Sequence, residues 1–372
     1  MDSNERLLKV LNGEPVDRVP ISTYELCGYN SLSFENQEPS YKGLMDYIRK
    51  YTDCICMWNP ASNDNAALSS YSIDVKQDRK MISGFTITNE VIYAPKGKLS
   101  RTIKVFDNVY TQWTTEHLCK DINDVDIYLS IPFEPLSYDY SDLERVKKEV
   151  GNHGILMSSL ADPVCTAMEL MEFGDATVWA LTETDHFGKT IREIHNRTMV
   201  NLEQMLKGGV VELYRICGPE YLTPPYLPPS YFKQFVVPYV REMTEMIQSY
   251  DGKVRIHSHG RIGKVLDYIK DIGADAIDPC EGPPDGDIPL KEVKRLVGDQ
   301  MCIFGNIQLK LLENGTTDQV RSYVKDCMEA AKEGGHYVIM PTAAPINVPL
   351  SPRTEDNYKA FISASLEYGS YS

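Results

Sequence analysis

Apolar residues in this chain fall into short β-branched runs separated by longer stretches of helical spacing. The clearest run is Val254-Arg255-Ile256-His257-Ser258-His259-Gly260. It predicts a buried strand that ends in two histidines, then a glycine that lets the chain turn. Beyond it, Ile262, Val265, Leu266 and Ile269 recur at helix spacing, so the two imidazoles stand where a strand passes into a helix. The same reading predicts strands at 19–23, 53–57, 154–159, 210–216, 274–278, 301–305 and 337–340. Helices are predicted at 4–12, 41–51, 230–249, 289–297, 317–333 and 353–366, with a helical region broken near Gly174 running to 208. Eight short strands, most followed by a helix, are the signature of a (β/α)8 TIM barrel, an α/β fold whose functional face is the C-terminal end of the strands.

From about 80 to 120 the period changes to two. Phe85-Thr86-Ile87-Thr88, Thr102-Ile103-Lys104-Val105 and Val109-Tyr110-Thr111-Gln112-Trp113 alternate, with turns at Pro95–Lys98 and Asp107-Asn108. This predicts an antiparallel β-meander inserted into a single barrel domain spanning 1–372.

Composition narrows the partners. The net charge of −15 argues against nucleic acid and against an anionic membrane. No apolar run approaches the roughly 20 residues of a membrane span, and the polar start does not read as a signal peptide. Nine scattered cysteines without a Cys-x-x-Cys pair fit a reducing cytoplasm rather than a disulfide framework or zinc ribbon. Cys54 and Cys56 share one face of a strand and read as core. No phosphate loop, dinucleotide fingerprint or Gly-x-Ser-x-Gly elbow is present.

Several motifs resemble the uroporphyrinogen decarboxylase superfamily, in the right order along the chain. They are Asn12-Gly13-Glu14-Pro15-Val16-Asp17-Arg18-Val19-Pro20, Gly286-Asp287 with Leu290-Lys291-Glu292-Val293-Lys294-Arg295, Phe304-Gly305-Asn306-Ile307, and Gly334-Gly335. The resemblance implies either a tetrapyrrole decarboxylase or a zinc-dependent, corrinoid-linked methyltransferase. Decarboxylases of this superfamily carry arginines after the opening signature. Here that position reads Ser22-Thr23-Tyr24-Glu25-Leu26-Cys27-Gly28, with nothing to grip eight carboxylates. Thiol-methylating members carry His-x-Cys and a cysteine after the last strand. Here the pair is His257-x-His259, and Pro341-Thr342-Ala343-Ala344 holds no cysteine.

His257 and His259 point the same way from a strand end, which suits Zn²⁺. Read from the residues alone, a metal pair and a buried, hydrogen-bonded histidine beside a substrate-binding one are equally good descriptions; the resemblance tips the choice to metal. Glu220 and Cys280 are the further ligand candidates by strand-end position, with Glu281 beside them. Glu220 reads equally as a loop acid, and Cys280 more readily as a packed thiol. Asn306 reads equally as a catalytic hydrogen-bonding group and as a loop brace. Tyr24, Trp58, Tyr221 and Glu281 are candidate substrate contacts. A His/His/Glu set leaves zinc a hard Lewis acid, suited to an ether oxygen. Resemblance and ligand type together imply methyl transfer between a small methylated substrate, such as an aryl methyl ether, and a corrinoid carried by a partner protein. The alternatives are a lyase on a smaller acid, with Arg215 and Arg261 as cations, and a corrinoid- or tetrapyrrole-binding protein without turnover. A homodimer is compatible with the sequence.

Overall fold

A computed structural model of the chain describes residues 1–371. Seven parallel strands run in sequence order around a curled sheet: β1 (Cys54–Met57), β2 (Gly154–Ala161), β3 (Leu213–Cys217), β4 (Lys253–His257), β5 (Ala276–Asp278), β6 (Cys302–Ile307) and β7 (Tyr337–Pro341). The predicted strand at 19–23 is the eighth stave and lies between β7 and β1. Ile21 pairs in parallel with Ile339, and the Ile21 carbonyl accepts from Asp53 N at 2.8 Å. Pro20 has no N–H to offer a ladder, which is why this stave is a bridge rather than a full strand.

Alternation along the strands sorts side chains to two sides. Ile55, Ile155, Leu213, Ala276, Cys302 and Val338 face the barrel axis and form one buried cluster with Leu7, Val10 and Leu11 of the helix Ser3–Leu11. That helix, begun by the Asp2 side chain accepting from Glu5 N, plugs the lower end of the barrel. The segment after it is clamped by Asp53, which is fully buried. Asp53 takes Arg6 Nη1 at 2.5 Å, Arg18 Nη1 at 2.7 Å and Ile21 N at 2.8 Å. With the bottom closed, access to the interior is from the strands' C-terminal ends.

The outer helices follow the apolar spacing, with two breaks. The helix expected over 230–249 is two, Pro229–Phe235 and Val237–Ser249, because Pro238 withholds an N–H at the joint. The region before 208 divides into Pro163–Met168, Phe173–Thr182 and Thr184–Gly208. Its first break lies just before Gly174, which falls in the opening turn of the second helix.

The meander has four antiparallel strands, Asp74–Ile82, Phe85–Ala94, Gly97–Phe106 and Gln112–Glu116. It begins before the expected 80 because Asp74-Val75-Lys76-Gln77-Asp78-Arg79-Lys80 is solvent-facing at nearly every position and shows no apolar alternation. Ile92, Ala94 and Leu99 join the same buried core as Val125 and Tyr128. At its far end, Tyr110 N donates to the Ile346 carbonyl in the loop after β7, so the meander borders the barrel mouth. Among the described residues, no helix is long and apolar enough to cross a membrane.

Candidate active site

Strand register assembles the mouth. β4 pairs with β3 and β5 so that Cys217, His257 and Asp278 share one level, and Ser159, Arg215 and Arg255 share the level below. Val254 and Ile256 point outward into the helical layer, which leaves Arg255 and His257 facing inward.

His257 Nδ1 lies 2.9 Å from Asp278 Oδ2, and both side chains are buried. A carboxylate can only accept, so Nδ1 carries the proton and Nε2 is the ring atom left for the mouth. Arg255 Nε stands 3.0 Å from the other Asp278 oxygen, with its guanidinium over the Phe304 ring. Burial alone would push the Asp278 carboxyl up. Arg255, His257 and Arg215 outweigh it and hold the carboxyl at about 2.

Tyr24 Oη is 3.5 Å from His257 Nε2 and accepts from Arg215 Nη1 at 3.0 Å. Tyr24 holds a left-handed backbone (φ 59°), a strained conformation for a bulky residue. Arg215 is itself held by Ser159 Oγ (3.2 Å) and Glu25 Oε1 (3.0 Å). Burial of Tyr24 pushes its phenol well above the ordinary range, so it remains a hydroxyl donor.

His259 stands on the rim, its ring perpendicular to that of His257 with centroids 4.6 Å apart. Its Nδ1 is 3.3 Å from Glu281 Oε2, and that same oxygen accepts from Gly260 N at 2.7 Å. Burial lowers the pKa of His259, but Glu281, Glu220 and Asp278 overcome this and raise it. Glu281 is pushed up by burial and pulled down further by His259 and Gly260 N, ending below its ordinary value.

The structure thus brings Tyr24, His257, His259 and Glu281 together. Glu220 is close enough for its charge to act on His259, while its Oε2 accepts from Gly218 N at 3.0 Å. Tyr221 Oη donates to Glu169 at 3.0 Å, and its ring packs beside Phe173. Cys280 is wholly buried in the helical-side core, where burial pushes its thiol up. Asn306 donates to the Cys280 carbonyl (2.8 Å) and accepts from Cys327 Sγ (3.4 Å), bracing the loop after β5 from below. Trp58 packs beside Tyr140, and its carbonyl accepts from Ser158 Oγ. Asp162 Oδ1 accepts from Cys165 N at 2.6 Å, the helix cap its position before Pro163 suggests.

Sequence reading missed Asp278 and Arg255. Their signal was the strand parity that exposed His257: a charge at 255 between Val254 and Ile256 on the inward face, and an acid closing Ala276-Ile277-Asp278.

Comparison with known proteins agrees with this architecture. The methylcobamide:CoM methyltransferase MtaA of Methanosarcina barkeri is 22% identical over 371 residues, 98% of this chain and 97% of that protein. A uroporphyrinogen decarboxylase of Crocosphaera subtropica is 20% identical over 244 residues, 63% of this chain and 64% of its own length. The solved structure of a methyltransferase from Methanosarcina mazei superposes with a TM-score of 0.63 at 17% identity and covers 99% of both chains. Residues 112–367 match the model of the uroporphyrinogen decarboxylase (URO-D) family. The chain belongs to the uroporphyrinogen decarboxylase family.

Proposed function

We propose that this protein is a corrinoid-linked methyltransferase that moves a methyl group between a small O-methylated substrate, an aryl methyl ether, and a corrinoid carried by a partner protein. The observation that carries the reading is the pair of imidazoles at the mouth, each with Nδ1 beside a carboxylate. It is supported by similarity along nearly the whole chain to a protein named as a methylcobamide:CoM methyltransferase. The corrinoid, when docked, supplies the cobalt nucleophile that accepts the methyl group. The barrel is closed below by the N-terminal helix, so the partner approaches from above.

Zinc would need a third protein ligand besides the imidazoles. Among the described residues, no three His, Cys, Asp or Glu side chains are grouped to hold a metal ion. The Cys280 thiol is in the core, and Glu220 is turned to Gly218 N. As arranged, the donors do not fit zinc, and protonation of the leaving oxygen falls to the protein's own side chains.

Removing a methyl group from an ether leaves a phenolate that needs a proton. His259, whose pKa burial lowers but Glu281 raises above the ordinary histidine value, is the group that donates it. Beneath it, Tyr24 Oη, polarised by Arg215, hydrogen-bonds the same oxygen beside His257 Nε2. Both interior arginines are taken by internal carboxylates, Arg215 by Glu25 and Arg255 by Asp278, so the mouth offers little to a polycarboxylate. The test is phenol release from a methoxylated aromatic under anaerobic conditions. Release only with reduced cobalamin supports the reading; no release from a panel of methoxybenzoates, with reduced cobalamin supplied, contradicts it.

A further inference from the structure

Three cysteines outside the mouth meet at one place. Cys54 and Cys56 project from the same face of β1, toward the helical layer, and Cys27 reaches them from the loop that follows the eighth stave. Cys27 Sγ lies 2.8 Å from Cys54 Sγ and also accepts from Tyr29 N at 3.5 Å. All three thiols are buried, and none takes part in the chemistry of the mouth. The adjoining residues Gly28 and Tyr29 line an open groove of about 340 Å³ with Ser31, Asn36, Arg49 and Glu149. Two of these lining residues, Gly28 and Tyr29, directly follow Cys27 in the chain.

We propose that Cys27 and Cys54 form a thiol–disulfide exchange site, reached through this groove by a small-molecule disulfide, with Cys27 as the attacking thiolate. The donors around Cys27 support this choice. Burial pushes its thiol up, but hydrogen bonds from Cys54, Cys56 and the Tyr29 and Asn30 amides outweigh burial and bring it well below the ordinary range. Cys54 shifts the opposite way, raised first by its hydrogen bond to Cys27 and then by burial, as befits the protonated partner.

In the first step the Cys27 thiolate attacks one sulfur of RSSR, forms a Cys27–SR mixed disulfide and releases RS⁻. In the second, Cys54 gives up its proton and attacks Cys27 Sγ, the Cys27–SR bond breaks, and a second RS⁻ leaves. Two protein thiols are oxidised to one disulfide, one RSSR is reduced to two thiols, and the protons go from protein to product.

The consequence for the mouth follows from chain distance. Tyr24, on the strained backbone beside His257, and Glu25, on Arg215, lie three and two residues before Cys27. A Cys27–Cys54 bridge ties that short loop to β1. The influence on turnover rests on the proposed methyl-transfer reading; the exchange itself does not.

The experiment uses the reduced full-length protein, native, incubated with glutathione disulfide. Free thiols are then alkylated after denaturation and peptides mapped by mass spectrometry, with amide hydrogen exchange followed over 22–28. A bridged peptide joining Cys27 to Cys54, with exchange over 22–28 slowed about tenfold and reversed by dithiothreitol, is the expected result. Cys54→Ser is expected to stop at a single glutathione on Cys27, and Cys302→Ser to behave as wild type. Should Cys54→Ser fail to fold, Cys27→Ser serves in its place, with no bridge expected. A bridge that forms only in denaturant, a Cys27–Cys56 bridge, or nine unmodified thiols overturns the assignment. None of these readouts depends on methyl-transfer activity.

Discussion

The same chemical unit, an imidazole held by a carboxylate, occurs twice within three residues of β4 and its following turn, in two different settings. His257–Asp278 is sealed in the barrel, backed by a buried Arg255 and fixed by the register of β4 against β5. His259–Glu281 sits on the rim, with the imidazole 37% exposed and its carboxylate supported by one backbone amide. In the buried pair, removal of one partner strands charges that cannot reach water. In the rim pair, solvent screens the loss, and what changes is the protonation of one ring. The buried pair is therefore a fixed part of the barrel interior, whereas the rim pair is adjustable.

The largest effect is expected from Asp278→Asn. It leaves Arg255 without its counter-charge in the interior and should cost about 3–5 kcal/mol of stability, measured by denaturant unfolding at neutral pH. The wild-type carboxyl, held at about 2, contributes its stabilisation fully above the ordinary carboxylate range. That contribution is lost as pH falls through about 2. The variant's stability deficit should accordingly shrink in acid; a deficit independent of pH below 4 would mean that Asp278 is not the charge at issue.

His257→Gln and His259→Gln are expected to lower turnover by roughly 10²–10⁴-fold, the range for loss of a general acid or its close partner. They should differ in stability. The rim substitution should change it by about 0.5 kcal/mol or less, and the buried one by more. Equal stability losses would erase the distinction between the pairs.

Glu281→Gln sharpens the comparison through pH. The pKa of His259 is raised, so its imidazolium, and the stabilisation of its pair with Glu281, is fully present below about 6.5 and lost as pH rises through the raised value. Activity that needs the imidazolium should hold to higher pH than an ordinary histidine allows. In Glu281→Gln that alkaline limb should move down toward 6.5, and an unmoved limb would assign it to another group.

The smallest effect on turnover is expected from Asn306→Ala. It removes the donor to the Cys280 carbonyl and should cost about 1–3 kcal/mol of stability while leaving turnover per folded molecule within about twofold. A loss of turnover without loss of stability would place Asn306 in the chemistry instead.

Periodicity carried most of the barrel into view, because strand and helix spacing are local properties of the chain. What it could not supply was pairing. Asp278 became the partner of His257 only through the register of β5 against β4, and Arg255 looked like a charge inside an apolar run until the barrel gave it an inward side. The strand Asp74–Ile82 escaped notice because it buries little and so keeps no apolar alternation. Cys27 lies 27 residues from Cys54, and neither side chain announces a partner that the fold alone brings into contact.

The central claim, that the carboxylate-held imidazole of His259 protonates the leaving oxygen, is tested most directly by phenol release from a methoxylated aromatic with reduced cobalamin, wild type beside His259→Gln at pH 6.5. Release that is cobalamin-dependent in the wild type and slower by about a hundredfold or more in the variant is the predicted result. Equal rates in the two proteins would contradict it.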